Sequence, residues 1–206
     1  MFTFSILLLP VVLAFYFLES GKKENIILLI TGSLSGILVF ALKEFLTLSH
    51  RVVPLSFAEN FIFLFMKECL IPLAVLYAIF WVISKDAREF KIQGFFPLIT
   101  SFYSIYLPYL CITSPEANTV FIIVAKPVLY LSMIISVNNG IKMISQKKGS
   151  LALAVIIITS ALIIPSLAES LFLISAPGLT YIILIPISIA LSALDFLKQF
   201  FSKKNA

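Results

Sequence analysis

Seven runs of sustained hydrophobicity, at residues 2–18, 25–42, 57–84, 94–112, 118–138, 151–174 and 178–197, set the environment in which this chain can fold. An α-helix needs about 20 apolar residues to cross a bilayer, and each run is close to that length. Lipid offers nothing to an unpaired backbone N–H or C=O, so spanning segments are helices or closed barrels. Runs this long are helices. The expected fold is all-α: a single integral membrane domain over residues 1–206, built as a bundle of seven transmembrane helices. Composition agrees, with 61% hydrophobic residues, 12% charged and a mean hydropathy of +1.10. Soluble domains carry about 25% charged residues. There is no linker, low-complexity segment or repeat, and the length leaves no room for a separate soluble domain.

The connections carry turn or charge signals, in order SGKKEN, LSHRVVP, SKDAREFK, TSPEAN, SQKKGS and SAPG. The first stretch lacks a basic leader region and a small-residue cleavage site, so it reads as a retained helix. Basic residues sort to one side. Lys22, Lys23, Lys85, Arg88, Lys91, Lys142, Lys147, Lys148, Lys198, Lys203 and Lys204 fall in alternate loops and the C-terminal tail, whereas Lys43 and Arg51 fall on the other side. The excess of Lys and Arg on cytoplasmic loops places the N-terminus outside and the C-terminus in the cytoplasm. Only an odd number of spans keeps that alternation. The net charge of +5 is accounted for in the same way, without nucleic acid. The expected location is the membrane itself, of the bacterial cytoplasmic (inner) type.

Within this apolar background, Lys67 and Glu68, Lys126, and Glu169 stand inside the third, fifth and sixth stretches. A charge at the bilayer centre costs about 3 kcal/mol on insertion scales, so such residues face a protein interior or a watery cavity and find partners. The inferred orientation puts all four in the outer half of the membrane. Glu59 lies nearer the outer interface and shares a helical face with Phe63 and Lys67 by i, i+4 spacing. Tyr103, Tyr106 and Tyr109 line the outer half of the fourth helix. Convergence of these faces predicts an outward-facing polar pocket, with Lys126 paired to Glu68 or Glu169 and the tyrosines at its mouth. The alternative is a short third helix whose Lys67, like Glu169, reaches the membrane surface along its own stem.

Other features read as structural. Pro72, Pro108, Pro127, Pro165 and Pro186 interrupt five helices, each freeing a carbonyl that a neighbour must satisfy. Gly32 and Gly36 form a GxxxG pair for close helix approach, within the fold or in a homodimer. Cys69 and Cys111 lack metal-ligand spacing and read as buried thiols. Asp195 falls near the cytoplasmic end of the last helix. A single histidine, His50, in an outer loop and the absence of HExxH, GxSxG and Gly-rich phosphate motifs leave zinc, serine and nucleotide chemistry without their usual residues. No cofactor is implied. Glu68 and Glu169 would serve as an acid/base pair if the chain were an enzyme, and equally as two arms of a structural ion triad with Lys126. Only 7 of 206 residues are glycine, which suits a rigid scaffold or partner-binding subunit better than a carrier making large movements.

The third helix reads Phe65-Met66-Lys67-Glu68-Cys69-Leu70-Ile71 and the sixth Ile164-Pro165-Ser166-Leu167-Ala168-Glu169-Ser170-Leu171-Phe172-Leu173. In these two helices the chain resembles the PrsW-type intramembrane proteases of the CAAX-protease-like superfamily. That family carries a Glu-Glu-x-x-Lys motif in its third hydrophobic segment, then Phe-x-x-x-Glu-Asn, then His-x-x-x-Asp after a Pro-Ser-Leu-like turn. Glu68 falls on the second glutamate, with Lys67 in place of the first and Ile71 in place of the lysine. Glu169 falls where the histidine belongs and Leu173 where the acid belongs. The region of the Glu-Asn pair is Tyr106-Leu107-Pro108-Tyr109, without an acid. The resemblance would cover most of the chain and implies a divergent or inactive relative, because the histidine that would act as base near neutral pH is gone. The residues themselves favour a non-enzymatic role, as a small transporter, a channel-like protein or a membrane-embedded subunit.

Overall fold

The computed structural model describes residues 19, 22–45, 56–86, 95–113, 120–145, 151–174 and 177–193. The expected first helix at 2–18, His50 and Arg51, and Asp195 with the C-terminal tail lie outside the described residues. Every described element is helical. Helix α1 is Lys23–Phe45. Helix α2, Phe57–Leu64, continues through a π-helical stretch Phe65–Leu70 into α3, Ile71–Asp86. Helix α4 is Phe95–Ile112. A second π-helical stretch, Phe121–Ala125, leads into α5, Lys126–Ser145. Helix α6 is Leu151–Leu173, and α7, Pro177–Ala193, contains a third π-helical stretch at Thr180–Leu184. Five spans, Lys23–Lys43, Phe57–Ile83, Phe95–Ile112, Phe121–Ile144 and Leu151–Leu173, are long and apolar enough to cross a membrane.

Four of the expected spans match within about three residues at each end. The fifth is longer than expected. Its expected end is residue 138, yet α5 runs on to Ser145. Asn138 and Asn139 are buried, and Asn139 donates a hydrogen bond from Nδ2 to the Ser192 carbonyl of α7 at 3.1 Å. A Cβ on Gly140 would meet the side chain of Ile158 and come within 3.2 Å of the Ala154 carbonyl, so the glycine is a helix-packing position here and not a turn.

Helices α4 and α5 form the centre. Leu98, Ile99, Phe102, Tyr103, Tyr106, Leu107 and Leu110 of α4 are all buried, against α1 and α3 on one side and α5 on the other. Helix α6 packs along α5 and also meets α2, closing a second cluster of Phe121, Ala125, Leu129, Ile164, Ala168, Phe172 and Leu184. Helices α1 and α4 run parallel: Gly32 meets Leu98 and Ser101, Gly36 meets Phe102 and Ile105, and Phe40 meets Tyr109. Helices α5 and α6 run antiparallel, since Gly140 meets Ile158 whereas Phe121 meets Phe172. Of the two roles expected for Gly32 and Gly36, the pair serves packing within the fold. A Cβ on Gly32 would strike the Ser101 hydroxyl and the Leu98 carbonyl, and one on Gly36 would lie 3.0 Å from the Phe102 carbonyl.

The three π-helical stretches share one register. Each ends two residues before a proline: Leu70 before Pro72, Ala125 before Pro127, Leu184 before Pro186. A proline has no N–H, and its ring crowds the carbonyl four residues back. A wider turn relieves that crowding. In each case the residue before the proline donates five residues back, Ile71 to Met66, Lys126 to Phe121 and Ile185 to Thr180. Pro108 and Pro165 lie within α-helical stretches of α4 and α6.

Candidate functional site

Wide turns of this kind often occur at functional sites, and two of the three carry or adjoin the buried charges. Lys67 and Glu68 lie inside the first. Lys126 is the residue that closes the second. The third begins at Thr180, whose hydroxyl donates to the Ala168 carbonyl at 3.3 Å, next to Glu169.

These side chains meet. Lys126 Nζ lies 3.2 Å from Glu68 Oε2 and 2.7 Å from Glu169 Oε2, so one ammonium joins carboxylates from two other helical segments. Lys126 is 1% exposed, Glu68 2% and Glu169 0%. Tyr130, one turn along α5 from Lys126, donates its hydroxyl to Glu68 Oε2 at 2.8 Å. Cys69 Sγ and Ser166 Oγ are 3.5 Å apart beside the triad. Sequence reasoning left open whether Lys126 would pair with Glu68 or with Glu169, and it pairs with both. Side chains reaching out to the membrane surface do not describe this geometry, because Lys67 and Glu169 are both buried.

A second layer extends the network towards α1. Lys43 is buried at the end of α1 and donates to the Tyr106 hydroxyl, with its ammonium 4.7 Å from the Tyr106 ring centre and 5.8 Å from that of Tyr109. Tyr106 in turn points its hydroxyl at the Lys67 carbonyl, a long 3.5 Å contact. That carbonyl lies in the widened turn ahead of Pro72, which has no N–H to offer it. Tyr103 packs its ring 5.7 Å from Tyr130, and its buried hydroxyl has no hydrogen-bond partner among the described residues. The expected tyrosine-lined mouth is instead an aromatic interior, with Tyr103 and Tyr106 fully buried between Lys43 and the triad.

Lys67 is buried, its ammonium 5.5 Å from the Phe63 ring centre. It lines a cleft of about 260 Å³ between α1 and the α2–α3 rod, together with Lys43, Val39, Leu42, Phe63 and Met66. The accessible wall of the cleft is apolar, so the two outlying lysines contribute their stems to it, and Lys126 does not line it. Glu59 stands apart from all of this. It is exposed, and its carboxylate accepts from the Ser56 backbone N–H at 2.9 Å while the Ser56 hydroxyl accepts from the Glu59 N–H, a capping box that starts α2.

Sequence reasoning thus located Lys67, Glu68, Tyr106, Tyr109, Lys126 and Glu169 at one end of the bundle and missed Lys43 and Tyr130. Tyr130 had a signal, the i, i+4 spacing from Lys126 that puts both on one face of α5. Comparison with protein-family models, curated proteins and solved structures finds no match for this chain.

Proposed function

We propose that this chain is a non-enzymatic, transporter-type protein of a bacterial cytoplasmic membrane, acting alone or as the embedded subunit of a larger complex. It crosses the membrane seven times, with its N-terminus outside and its C-terminus in the cytoplasm. Its working part is the buried ion network at the outer end of the bundle. One observation carries this reading: Lys126 gathers Glu68 and Glu169 in the interior, away from both water and lipid. Buried ion pairs are weak devices for stability, since hydrophobic replacements often hold a fold as well or better. Intramembrane charges in transporters mark ligand and ion pathways. The aromatic interior lies between the triad and the cleft beside Lys43 and Lys67, so a ligand reaches the network only when Tyr103 and Tyr106 move aside.

The test is flux. Vesicles reconstituted with the full chain should pass at least one anion from a panel of chloride, phosphate, acetate and fluorescent anionic lipids faster than protein-free vesicles. Lys126→Met should remove that flux. Rates equal to those of empty vesicles across the panel would overturn the carrier reading. Reporter fusions at each end test the topology, and a cytoplasmic N-terminus would overturn it.

A second reading draws on the convergence of Glu68 and Glu169, which a divergent PrsW-like protease would need in order to hold a water. It predicts cleavage of a membrane-tethered substrate that Glu68→Gln abolishes. Cleavage unchanged by that substitution would sink it.

A further inference from the structure

Helix α5 meets its neighbours through a stripe that changes character along its length. Ala125, Leu129, Ser132, Ser136, Asn139 and Met143 recur at alternating spacings of four and three residues, which puts them on one face of the helix. The ends of the stripe are apolar and join clusters with α6 and α7: Ala125 and Leu129 with Leu184, Met143 with Leu191. Its middle is polar, and Ser132, Ser136 and Asn139 are all buried. Helix α7 matches it. It turns Ile182, Ile183, Ile187 and Ile189 outwards and buries Thr180, Leu184 and Ser188, so two of its three buried side chains carry hydroxyls. The two helices run parallel, since Leu184 sits with Leu129 whereas the Ser192 carbonyl accepts from Asn139.

Burying a hydroxyl without a partner is costly, so hydroxyls turned inward from a membrane helix need a reason. The Ser136 hydroxyl, in the middle of the stripe, is buried and has no hydrogen-bond partner among the described residues. Buried hydroxyls are satisfied by other protein groups or by water. Neutral groups that both donate and accept suit water and the proton better than an anion or a metal ion. One end of the stripe reaches the triad. Lys126 follows Ala125, and Thr180 donates to the Ala168 carbonyl next to Glu169. From Lys126 to Asn139 the stripe covers about 20 Å of helix. At the triad, Lys126 holds Glu68 and Glu169 together, and carboxylates that share a site are where a proton is taken up and released. The titratable groups that act on the pair are Lys126 and Tyr130 of α5, Tyr103, Tyr106 and Cys111 of α4 and Cys69 of the α2–α3 rod, with Lys43 and Lys67 beyond them beside Tyr106 and Phe63. Helices α6 and α7 bring no further charged side chain, so the seam between α5 and α7 is an uncharged approach to the pair.

From this geometry we infer that the seam between α5 and α7 is a proton path that joins the Glu68–Glu169 pair to the cytoplasmic end of the bundle. The inference rests on the transporter reading for its orientation, and it deepens that reading by naming the proton as an ion exchanged at the network. A hydronium ion at the cytoplasmic end passes its proton along waters held by Asn139, Ser136, Ser188 and Ser132 and becomes water. One carboxylate of the pair takes the proton on an oxygen and becomes a carboxylic acid, and the same route discharges it.

Infrared spectroscopy of the full chain in lipid nanodiscs tests it, through the carbonyl band of a protonated carboxyl group, which shifts on exchange into heavy water. Between about pH 5 and 8 the wild type should show a band that titrates and that the double variant Glu68→Gln, Glu169→Gln lacks. Ser136→Val should slow exchange of that band about tenfold, the effect of one hydrogen bond on a barrier. The equally bulky Ser136→Thr keeps a hydroxyl and should exchange as the wild type does. Ser188→Val, on the opposite wall of the seam, should slow exchange likewise, which covers the case in which Ser136→Val fails to fold. Absence of the band across that range, or exchange in folded Ser136→Val or Ser188→Val as fast as in Ser136→Thr, would overturn the path. Exchange slowed by the Val variants in a chain that passes no anion leaves the path standing and overturns the carrier reading. Anion flux in a chain whose band exchanges independently of Ser136 and Ser188 overturns the path alone.

Discussion

Replacing Lys126 by Met tests the energetic logic of the network directly. Methionine keeps much of the length and apolar volume of the lysine stem but removes the ammonium that both Glu68 and Glu169 contact. Removing one partner of a buried pair costs about 3–5 kcal/mol, because the other charge is left uncompensated. Here one substitution strands two carboxylates that are 2% exposed or less. Each can escape by taking a proton. For an ordinary glutamate of pKa about 4.3, protonation at pH 7 costs about 3.7 kcal/mol at 1.36 kcal/mol per pH unit. Two such steps set a ceiling of about 7 kcal/mol, and the Tyr130 hydrogen bond to Glu68 lowers the amount realised. A loss of about 3–6 kcal/mol at pH 7 is therefore expected. The sign of its pH dependence follows from proton counting. The folded variant holds up to two protons that the unfolded chain has released at pH 7, so its stability falls as pH rises and recovers towards pH 4.5. Reversible unfolding in mixed micelles between pH 5 and 8 measures this. The triple variant Lys126→Met, Glu68→Gln, Glu169→Gln should regain most of the loss and flatten the pH dependence. A Lys126→Met loss below about 1 kcal/mol, the size of an exposed pair, or one independent of pH, would refute the reasoning.

Three further outcomes can be checked in the same unfolding assay. Tyr130→Phe removes one hydrogen bond to a charged oxygen of Glu68 and should cost about 1–3 kcal/mol without changing the fold. Gly32→Ala drives a methyl group into Ser101 and the Leu98 carbonyl and should cost about 1–3 kcal/mol by overpacking, whereas Gly178→Ala, with nothing within 4 Å of the added Cβ, should stay within about 0.5 kcal/mol of wild type. Asn139→Leu should destabilise α7 selectively, seen as faster amide exchange around Ser192, because it deletes the bond to that carbonyl.

Much of this arrangement can be read from residue order alone. Charges such as Lys126 inside an apolar run must find partners, and the alternation of basic loops is enough to put Glu68, Lys126 and Glu169 at the same end of the bundle. Lys43 escapes that logic. It follows an apolar run and precedes Glu44, so it reads as a helix-end flank in water, and only the packing of Tyr106 and Tyr109 over it makes it interior. The end of α5 misleads for a related reason. The apolar run 118–138 stops at Asn138 and Asn139, but both are buried, with Asn139 bonded to α7. The widened turns are equally hidden, because prolines also sit in α4 and α6 with no such turn.

Those widened turns bear on how the site can change over generations. An inserted residue in a packed α-helix rotates everything beyond it by about 100° and would swing Lys67 and Glu68 away from Lys126. A π-helical turn absorbs the extra residue locally and leaves both flanking helices in register. The proline two residues on then acts as a latch, because reversion to a regular turn would bring its ring back against a carbonyl. Pro108 and Pro165 show that a proline does not by itself demand such a turn, so deleting a residue from one of the three stretches is tolerated only where the regular turn also leaves Lys67, Glu68 and Lys126 in register.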